Sequence, residues 1–259
     1  MTITVEPRSQ LGARGIPRVT AAQMAEVDRL ASDEYGIGIL QMMEQAGSHL
    51  AEVVRHELGG DLVGRSVVVA VGSGNNGGGG LAAARHLSNR GAEVRVVLAR
   101  PAMRSSEASR GQLATLLAMA IDCCVATYDV SDDELAAAMG TADTVVDAIV
   151  GYDLGGPPRD DAARLIGHVV DARRPVVSLD LPSGLDPDSG MVSGIAVTAA
   201  ATMTLALPKP GLFTAEGPRH TGRLYLADIG LPPSLYHGLG LDVGSLFATG
   251  RIMRVHQDR

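Results

Sequence analysis

A glycine-rich segment with two adjacent amides carries the most chemistry in this sequence. Residues 72–80 are Gly-Ser-Gly-Asn-Asn-Gly-Gly-Gly-Gly, between an apolar β-branched run, 66–71, and a helix-forming run, 81–89. Glycines let the backbone approach a ligand closely, and the free N–H groups at a helix start attract phosphate. The side chains of Asn75 and Asn76 add polar groups that suit an ion or a sugar hydroxyl. The segment therefore predicts a nucleotide-binding loop that also coordinates something polar.

Two other interpretations of this segment stay open. The glycine spacing from Gly72 to Gly77 satisfies the dinucleotide fingerprint G-x-G-x-x-G of oxidoreductases. Rossmann enzymes usually place an acidic residue after the second strand to bind the ribose, whereas the run 93–98 leads to Arg100. Arg100 suits a 2′-phosphate, which keeps an NADP-dependent oxidoreductase under consideration. Alternatively, the glycines form a tight turn that only lets a helix pack on the sheet.

Two carboxylates follow or interrupt apolar runs. Asp147 lies inside the run 145–149, where burying a carboxylate is costly unless it is paired or bound to a cation. Asp180 directly follows the run 176–179. Because ligands bind beyond the carboxyl ends of parallel strands, we expect both to meet the glycine segment in one cleft. Asp147 is then a functional residue, or a carboxylate that only accepts loop N–H groups and shapes the turn.

The remaining candidates are a lysine, the histidines and a serine. Lys209 is the one lysine among 22 basic residues and lies in the rigid segment Leu-Pro-Lys-Pro-Gly, where a compact ammonium donor points to function. The seven histidines lack metal-ligand spacing such as HExxH. Ser183 is not in a Gly-x-Ser-x-Gly elbow, which disfavours a hydrolase. We therefore expect neither a histidine metal site nor a serine nucleophile.

Composition narrows the class of protein. The chain has 259 residues, of which 46% are hydrophobic and 20% charged, and we expect a single domain with its core at about 20–232 and peripheral tails at 1–18 and 233–259. A net charge of −7 argues against nucleic-acid binding. Signal-peptide and membrane-span patterns are missing, so we expect a soluble, cytoplasmic protein. The neighbouring Cys123 and Cys124 fit a reducing compartment.

The pattern of elements predicts an α/β fold. Two helices come first, at about 21–35, opened by a capping box at Thr20, and at 40–58. Strands at 66–71, 93–98, near 125, 144–149 and 176–179 then alternate with helices at 81–89, 106–121, 131–140 and 160–172. This alternation is typical of a Rossmann-like three-layer αβα sandwich with a mostly parallel central sheet. Strands 202–207 and 223–227 follow without a helix between them and extend the sheet, and the tail from 232 is disordered or docks on a partner.

Six ordered segments resemble one family, the NAD(P)H-hydrate epimerases, also known as the YjeF N-terminal type and as apolipoprotein A-I-binding protein. The resemblance runs from about residue 20 to 232. The glycine segment resembles the family's Gly-Asn-Asn-Gly-Gly-Asp-Gly loop. The matching segments are 42–47, 74–80, 146–151, 180–190, 208–211 and 228–232.

The resemblance implies a cofactor-repair reaction. The substrate would be NADH or NADPH hydrated at C6 of the nicotinamide ring, and the activity would interconvert its R and S epimers. A separate dehydratase acting on the S form would then restore the cofactor. In this chemistry Asp147 would act as general acid and base, and Lys209 would orient either the leaving hydroxyl or a phosphate.

The resemblance also implies ligands for particular residues and a possible homodimer. A potassium ion would be held by Asn76, Asp147 and Ser183. The dinucleotide substrate would contact three segments, which comprise Asn75, Asn76, Gly77, Gly78, Gly79, Gly151, Tyr152, Asp153, Leu154, Gly155, Gly156, Pro157 and Asp180.

Three positions depart from the family pattern. Gly79 stands where the family has aspartate, Asp153 where it usually has glycine, and Gln45 where it has asparagine. We hypothesise that Asp153 partly substitutes for the missing carboxylate. Because that carboxylate is lost, an alternative stays open: the protein is a non-catalytic nucleotide-binding or scaffold module of the same fold. The intact positions favour the enzyme, and they are Asn75, Asn76, Asp147, Asp180, Ser183 and Lys209.

Overall fold

The computed structural model describes residues 11–12, 15–126, 128–153 and 155–257. Its helices are α1 (Ala21–Asp33), α2 (Ile39–Glu57), α3 (Asn75–Ser88), α4 (Glu107–Ala118), α5 (Asp132–Thr141), α6 (Asp160–Asp171), α7 (Gly217–Thr221) and α8 (Pro233–His237). Its strands are β1 (Leu11–Gly12), β2 (Ser66–Val71), β3 (Glu93–Leu98), β4 (Asp122–Val125), β5 (Thr144–Ala148), β6 (Val176–Leu179), β7 (Ala201–Leu205), β8 (Arg223–Ala227) and β9 (Ile252–His256).

All described strands belong to one sheet with the order β1-β9-β8-β7-β6-β5-β2-β3-β4. Neighbours from β2 to β8 pair in parallel, and β9 pairs antiparallel with β8. Counted from β2, the order of the first six parallel strands is the Rossmann order 3-2-1-4-5-6. The predicted fold class is confirmed, and the direction of winding reverses between β2 and β5. In such sheets that reversal marks the ligand-binding crevice.

The sheet is covered on both faces, because alternate strand residues point to opposite sides. Val67, Val69 and Val71 of β2 pack with residues of α2, α3 and α4. Val68 and Ala70 pack on the other side with residues of α5 and α6. A third cluster joins α1 and α8 to β8 and β9. These three clusters make the predicted three-layer sandwich and fix the helices that surround the crevice.

Helices α2 and α3 lie unusually close to each other at Gly47. A Cβ atom added there would lie 2.5 Å from the Ala82 Cβ atom and 2.7 Å from the Ala83 backbone nitrogen. Real Cβ atoms essentially never approach so closely, so the contact requires glycine. The backbone of α2 thus rests almost directly on α3.

The first helix begins as the sequence predicts. The Thr20 side chain accepts a hydrogen bond from the backbone N–H of Gln23 at 3.2 Å, and the Gln23 side chain accepts one from the Thr20 N–H at 3.0 Å. Val19 and Met24, which flank this capping box, are both buried. The capping box and its apolar neighbours therefore set where α1 starts and how it enters the fold.

The start of α3 differs from the sequence prediction. The helix begins at Asn75 rather than at 81, so Gly77 to Gly80 belong to its first turns. Glycine costs about 1 kcal/mol relative to alanine inside a helix, which is why the sequence favoured a loop. Tertiary packing decides otherwise: a Cβ atom on Gly77 would lie 2.0 Å from the Gly72 carbonyl oxygen, and one on Gly80 2.4 Å from the Ala148 Cβ atom. The glycines let α3 descend onto the sheet.

The end of the chain also differs from prediction. A 3-10 turn at Pro210–Phe213 and helix α7 lie between β7 and β8, where no helix was expected. Residues 233–257 are not a peripheral tail, because they form α8 and the strand β9, with Ile252, Met253 and Val255 buried. The strands β7 and β8 do extend the sheet beyond β6, but β9 and β1 lie outside them.

Candidate functional site

A cavity of about 380 Å³ opens where the winding of the sheet reverses. Its wall combines side chains of α1 and α2 with the segments that follow β2, β3, β5 and β6. The segments after β2 and β5 touch through their backbones, since a Cβ atom on Gly72 would lie 1.9 Å from the Ile149 carbonyl oxygen. The convergence of loops on one cleft, as predicted from the strand ends, is present in the structure.

The N-terminus of α3 faces this cavity. Gly74 precedes the helix in an extended conformation and provides no side-chain cap. Gly74, Asn75 and Asn76 line the wall. The first N–H groups of a helix have no partner within the helix, and together with the helix dipole they attract anions. This end of the cavity is therefore suited to a phosphate group, as the sequence predicted.

Asn76 carries an unsatisfied amide. Its side-chain nitrogen is buried and has no hydrogen-bond partner among the described residues. The side chain lies against Gly151, where an added Cβ atom would be 3.1 Å from the Asn76 Cγ atom. The oxygen and nitrogen of an amide exchange places by a flip of the group, so the same position can present either. A buried polar atom without a partner is rare and calls for a ligand.

Asp147 lies in a cage of donors away from the cavity. Its side chain is 0% exposed and is not part of the cavity wall. The Ser183 hydroxyl donates to it at 2.5 Å, the Ser183 N–H at 2.9 Å and the Ser178 hydroxyl at 2.8 Å. Burial still raises the pKa of Asp147, although these hydrogen bonds oppose the effect. Asp147 and Ser183 therefore form one unit, whose carboxylate has no cavity surface to offer a substrate.

Asp180 and Lys209 form a buried ion pair on the cavity wall. The Lys209 side chain is 0% exposed, and its ammonium group also donates to the Leu205 carbonyl oxygen at 3.1 Å. The Asp180 carboxylate further accepts the N–H groups of Tyr152 at 3.2 Å and Leu205 at 3.3 Å, and the Thr204 hydroxyl at 3.3 Å. All of these groups donate hydrogen bonds to the carboxylate and fix its position. The pair therefore presents a fixed carboxylate to the cavity.

The backbone of Asp180 is held in an uncommon conformation. Its φ angle is +68°, in the left-handed region that few residues other than glycine adopt. Aspartate tolerates this region better than most residues, and such conformations cluster at functional sites. The turn after β6 thus directs Asp180 into the cavity rather than along the strand.

Sequence reasoning missed Asp28 of α1. Its carboxyl group lines the cavity and accepts a hydrogen bond from the Tyr152 hydroxyl at 2.5 Å. Burial raises the pKa of Asp28, and the bond from Tyr152 lowers it in part. A signal existed in the sequence, because Asp28 lies four residues after Met24 and three before Ala31, both buried. A carboxylate on the apolar face of an amphipathic helix indicates a functional role.

The structure places the predicted site residues in different surroundings. The structure brings eight of them to the cavity wall, namely Asn75, Asn76, Gly79, Gly151, Tyr152, Asp153, Asp180 and Lys209. Gly77 and Gly78 are instead buried contacts of α3, and Asp147 and Ser183 are buried away from the wall. Gly155, Gly156 and Pro157 are exposed, and Leu154 lies outside the described residues. The substrate, metal and catalytic roles of all these residues stay predictions.

The fold and the position of the cavity define the class of the molecule: a Rossmann-like α/β protein with its ligand cavity at the reversal point of the sheet. Comparison with known proteins narrows the class. Residues 39–211 match the family model described as YjeF-related protein N-terminus. The chain belongs to this YjeF N-terminal family, the family of the NAD(P)H-hydrate epimerases. The resemblance found in the sequence is thereby confirmed.

Individual relatives agree with this membership. An NAD(P)H-hydrate epimerase of Dehalogenimonas lykanthroporepellens is 41% identical over 244 residues, which cover 93% of this chain and 94% of the relative. The bifunctional NAD(P)H-hydrate repair enzyme Nnr of Moorella thermoacetica is 42% identical over 84% of this chain, which spans 41% of that longer protein. The crystal structure of a yeast protein superposes with a TM-score of 0.78 and 26% identity over 92% of this chain and all of the yeast chain.

Within the described part of the chain, no helix combines the length and apolarity needed to cross a lipid bilayer.

Proposed function

We propose that this protein interconverts the R and S epimers of hydrated NADH and NADPH in the repair of nicotinamide cofactors. The observation that carries the proposal is the cavity of an epimerase-family fold in which the Asp180–Lys209 pair and the N-terminus of α3 face the same space. The helix end suits the pyrophosphate of a dinucleotide. The ion pair suits chemistry on a ring that becomes positively charged.

The reaction makes three demands on the cavity. The C6 hydroxyl must receive a proton to leave as water, the resulting iminium-like ring must be stabilised, and a water molecule must lose a proton as it adds to the other face. The Asp180 carboxylate supplies negative charge beside the ring and accepts the proton of the incoming water. Lys209 holds that carboxylate in place. We therefore assign the acid–base role to Asp180, because Asp147, to which the sequence assigned it, has no cavity surface.

We propose a potassium ion bound by Asn76, Asp147 and Ser183, on the chemistry of their side chains. Asn76, Asp147 and Ser183 offer an amide, a carboxylate and a hydroxyl, which are oxygen ligands of the kind that alkali ions accept. Asp147 is buried without a cationic partner among the hydrogen bonds it receives, and Asn76 has an amide without a partner. A bound monovalent cation would neutralise that carboxylate and fix the loop that follows β5. It would thus act on the shape of the cavity wall.

Potassium is expected to stabilise the protein against heat more than a bulky monovalent cation does. The melting temperature should rise on addition of KCl but not of choline chloride at equal ionic strength, because binding to the folded state alone stabilises it. Ser183→Ala should lose this difference. Equal effects of the two salts on the wild-type protein would contradict the proposed ion.

The activity itself is tested with separated R and S NADH hydrate. Their interconversion is followed by chiral chromatography. Pure protein in potassium buffer is expected to accelerate it relative to an enzyme-free control. If nucleotide binds without acceleration, the protein is a binding module of the same fold. Gly79 is the observation that favours this second candidate, since it lines the cavity without the carboxylate of the family. Oxidation of plain NADPH by a carbonyl compound would instead indicate an oxidoreductase.

Asp153 is expected to contribute modestly to activity. It lines the cavity from an exposed position, so its charge acts through solvent and is worth up to about 1 kcal/mol, or about fivefold in rate. Asp153→Gly should therefore lower kcat/KM by about this factor. Asp153→Asn, which keeps the size of the side chain, should fall equally. Unchanged rates in both variants would remove Asp153 as a substitute for the carboxylate missing at Gly79.

The cellular setting follows from the same proposal. The protein acts in the cytoplasm, on a dinucleotide substrate, beside a separate NAD(P)H-hydrate dehydratase that consumes the S epimer. The longer relatives named as bifunctional repair enzymes support this pairing. We also propose that the protein forms a homodimer, which a measurement of its mass in solution tests.

A further inference from the structure

One pair of residues on the cavity wall has no role in the function proposed above. Asp28 of α1 and Tyr152 of the loop after β5 meet through the bond from the tyrosine hydroxyl to the carboxyl group. Within the described part of the chain, this is the only hydrogen bond that the Asp28 carboxyl group receives or gives. Both residues line the same cavity as Asp180 and Lys209.

Tyr152 connects the carboxyl groups of Asp28 and Asp180. Its hydroxyl donates to Asp28, its backbone N–H donates to Asp180, and its ring lies 5.7 Å from the Lys209 ammonium nitrogen. The contact with Lys209 is within the range of a cation–π interaction. One tyrosine therefore sets the positions of Asp28, Asp180 and Lys209 relative to one another.

The two carboxyl groups differ in their surroundings. Asp180 is surrounded by donors and paired with an ammonium group. Asp28 has one neutral donor, and burial raises its pKa, although the bond from Tyr152 and the charge of Lys209 lower it and the charge of Asp180 raises it further. Carboxyl groups whose environments differ in this way commonly divide the work of acid and base.

We propose that Asp28 is a second catalytic residue of the epimerisation, which exchanges a proton with the C6 hydroxyl on the face of the nicotinamide ring opposite to Asp180. The inference rests on the proposed function. An epimerisation at one carbon by loss and return of water needs a proton donor on one face and an acceptor on the other. Asp28 and Asp180 provide one carboxyl group for each face.

Asp28 and Asp180 exchange protons with opposite faces of C6 in turn. Protonated Asp28 gives its proton to the hydroxyl, the C6–O bond breaks with its electron pair, and water leaves while the ring nitrogen's lone pair forms the C6–N double bond. A second water then adds to C6 on the other face and gives a proton to Asp180. Return of that proton to Asp28 through solvent closes the cycle, and the reverse epimerisation exchanges the two roles.

The test is the pH dependence of kcat in Asp28→Asn. Asparagine keeps the size of the side chain and still accepts a hydrogen bond from Tyr152, but it cannot exchange a proton. We expect kcat to fall by about 10²–10⁴-fold with KM changed by less than about threefold, as for loss of a general acid. The alkaline limb of the profile, which reports the protonated acid, should disappear. Asp28→Glu should restore part of the rate.

Two further variants separate chemistry from packing. Asp33→Asn changes an exposed carboxylate of the same helix, 3.5 Å from Arg29, and should behave as the wild type. Tyr152→Phe removes a hydrogen bond that lowers the pKa of Asp28, so its alkaline limb should move to higher pH. A wild type without acceleration would refute the proposed function. An active wild type together with an Asp28→Asn variant of unchanged kcat and pH profile would overturn the role of Asp28 alone.

Discussion

Lys209→Met is expected to lower the free energy of unfolding by about 3–5 kcal/mol and to reduce the epimerisation rate at least about 100-fold. The loss of stability arises because Asp180, only 2% exposed, stays buried without its ion-pair partner. Methionine has nearly the length of lysine, so packing changes little. The loss of rate follows because Asp180 is no longer held against the substrate. Electrostatic stabilisation of a transition state by a fixed group is worth several kcal/mol in enzymes. Urea unfolding and the epimer assay measure the two effects.

A double variant separates these two roles of Lys209. Adding Asp180→Asn to Lys209→Met removes the unpaired charge, and asparagine tolerates the left-handed backbone at this position. Part of the lost stability should therefore return while activity stays absent. If Lys209→Met unfolds at the same urea concentration as the wild type, the ion pair does not stabilise the fold.

Gly77→Ala is expected to prevent stable folding or to lower the melting temperature by more than about 10 °C. Its Cβ atom would lie 2.0 Å from the Gly72 carbonyl oxygen and 2.8 Å from that residue's carbonyl carbon. These are backbone atoms that cannot turn aside, so α3 would have to move away from the end of β2. Overpacking usually costs about 1–3 kcal/mol, and more where the backbone itself must shift. About 3 kcal/mol in a domain of this size corresponds to roughly 10 °C.

Gly74→Ala is the matched control, because it adds the same methyl group at the same end of α3. No atom lies within 4 Å of a Cβ atom there, and the φ angle of −85° is ordinary for alanine. Its cost should stay near 1 kcal/mol, the usual effect of alanine at the position before a helix. Similar melting temperatures for the two variants would show that the close approach at Gly77 does not constrain the fold.

Much of the sheet could be predicted from the sequence because its signals are local. Buried parallel strands are near-continuous runs of apolar residues. The ends of runs such as 66–71 and 93–98 therefore predicted the ends of the strands. The alternation with helices then specified the class of fold, and the strand ends specified where polar residues would meet. The choice of Asp180 as a cavity residue followed from this geometry, whereas Lys209 was chosen because it is the one lysine of the chain.

Features that depend on distant contacts could not be predicted in this way. The helical state of Gly77 depends on β2, and β9 is a strand because β8 offers it a free edge. The separation of Asp147 from the cavity depends on which way its side chain turns toward Ser183. The pattern of α1 marks Asp28 as lying on its apolar face, but only the packing shows that this part of the face meets the cavity. Each of these facts is a property of packing rather than of local composition.

The close contact between α2 and α3 at Gly47 has a thermodynamic consequence for ligand binding. Met42, Met43 and Ala46 of α2 form part of the cavity wall, and they stand on a backbone that rests directly on α3. At Gly47 no α2 side chain separates the two backbones, so little conformational entropy remains at this contact for a ligand to remove. We therefore expect the entropic cost of binding to fall on the ligand and on the exposed residues 155–157, whose predicted contact with the substrate would order them. Calorimetry should then give an unfavourable binding entropy that shrinks when this loop is shortened or stiffened.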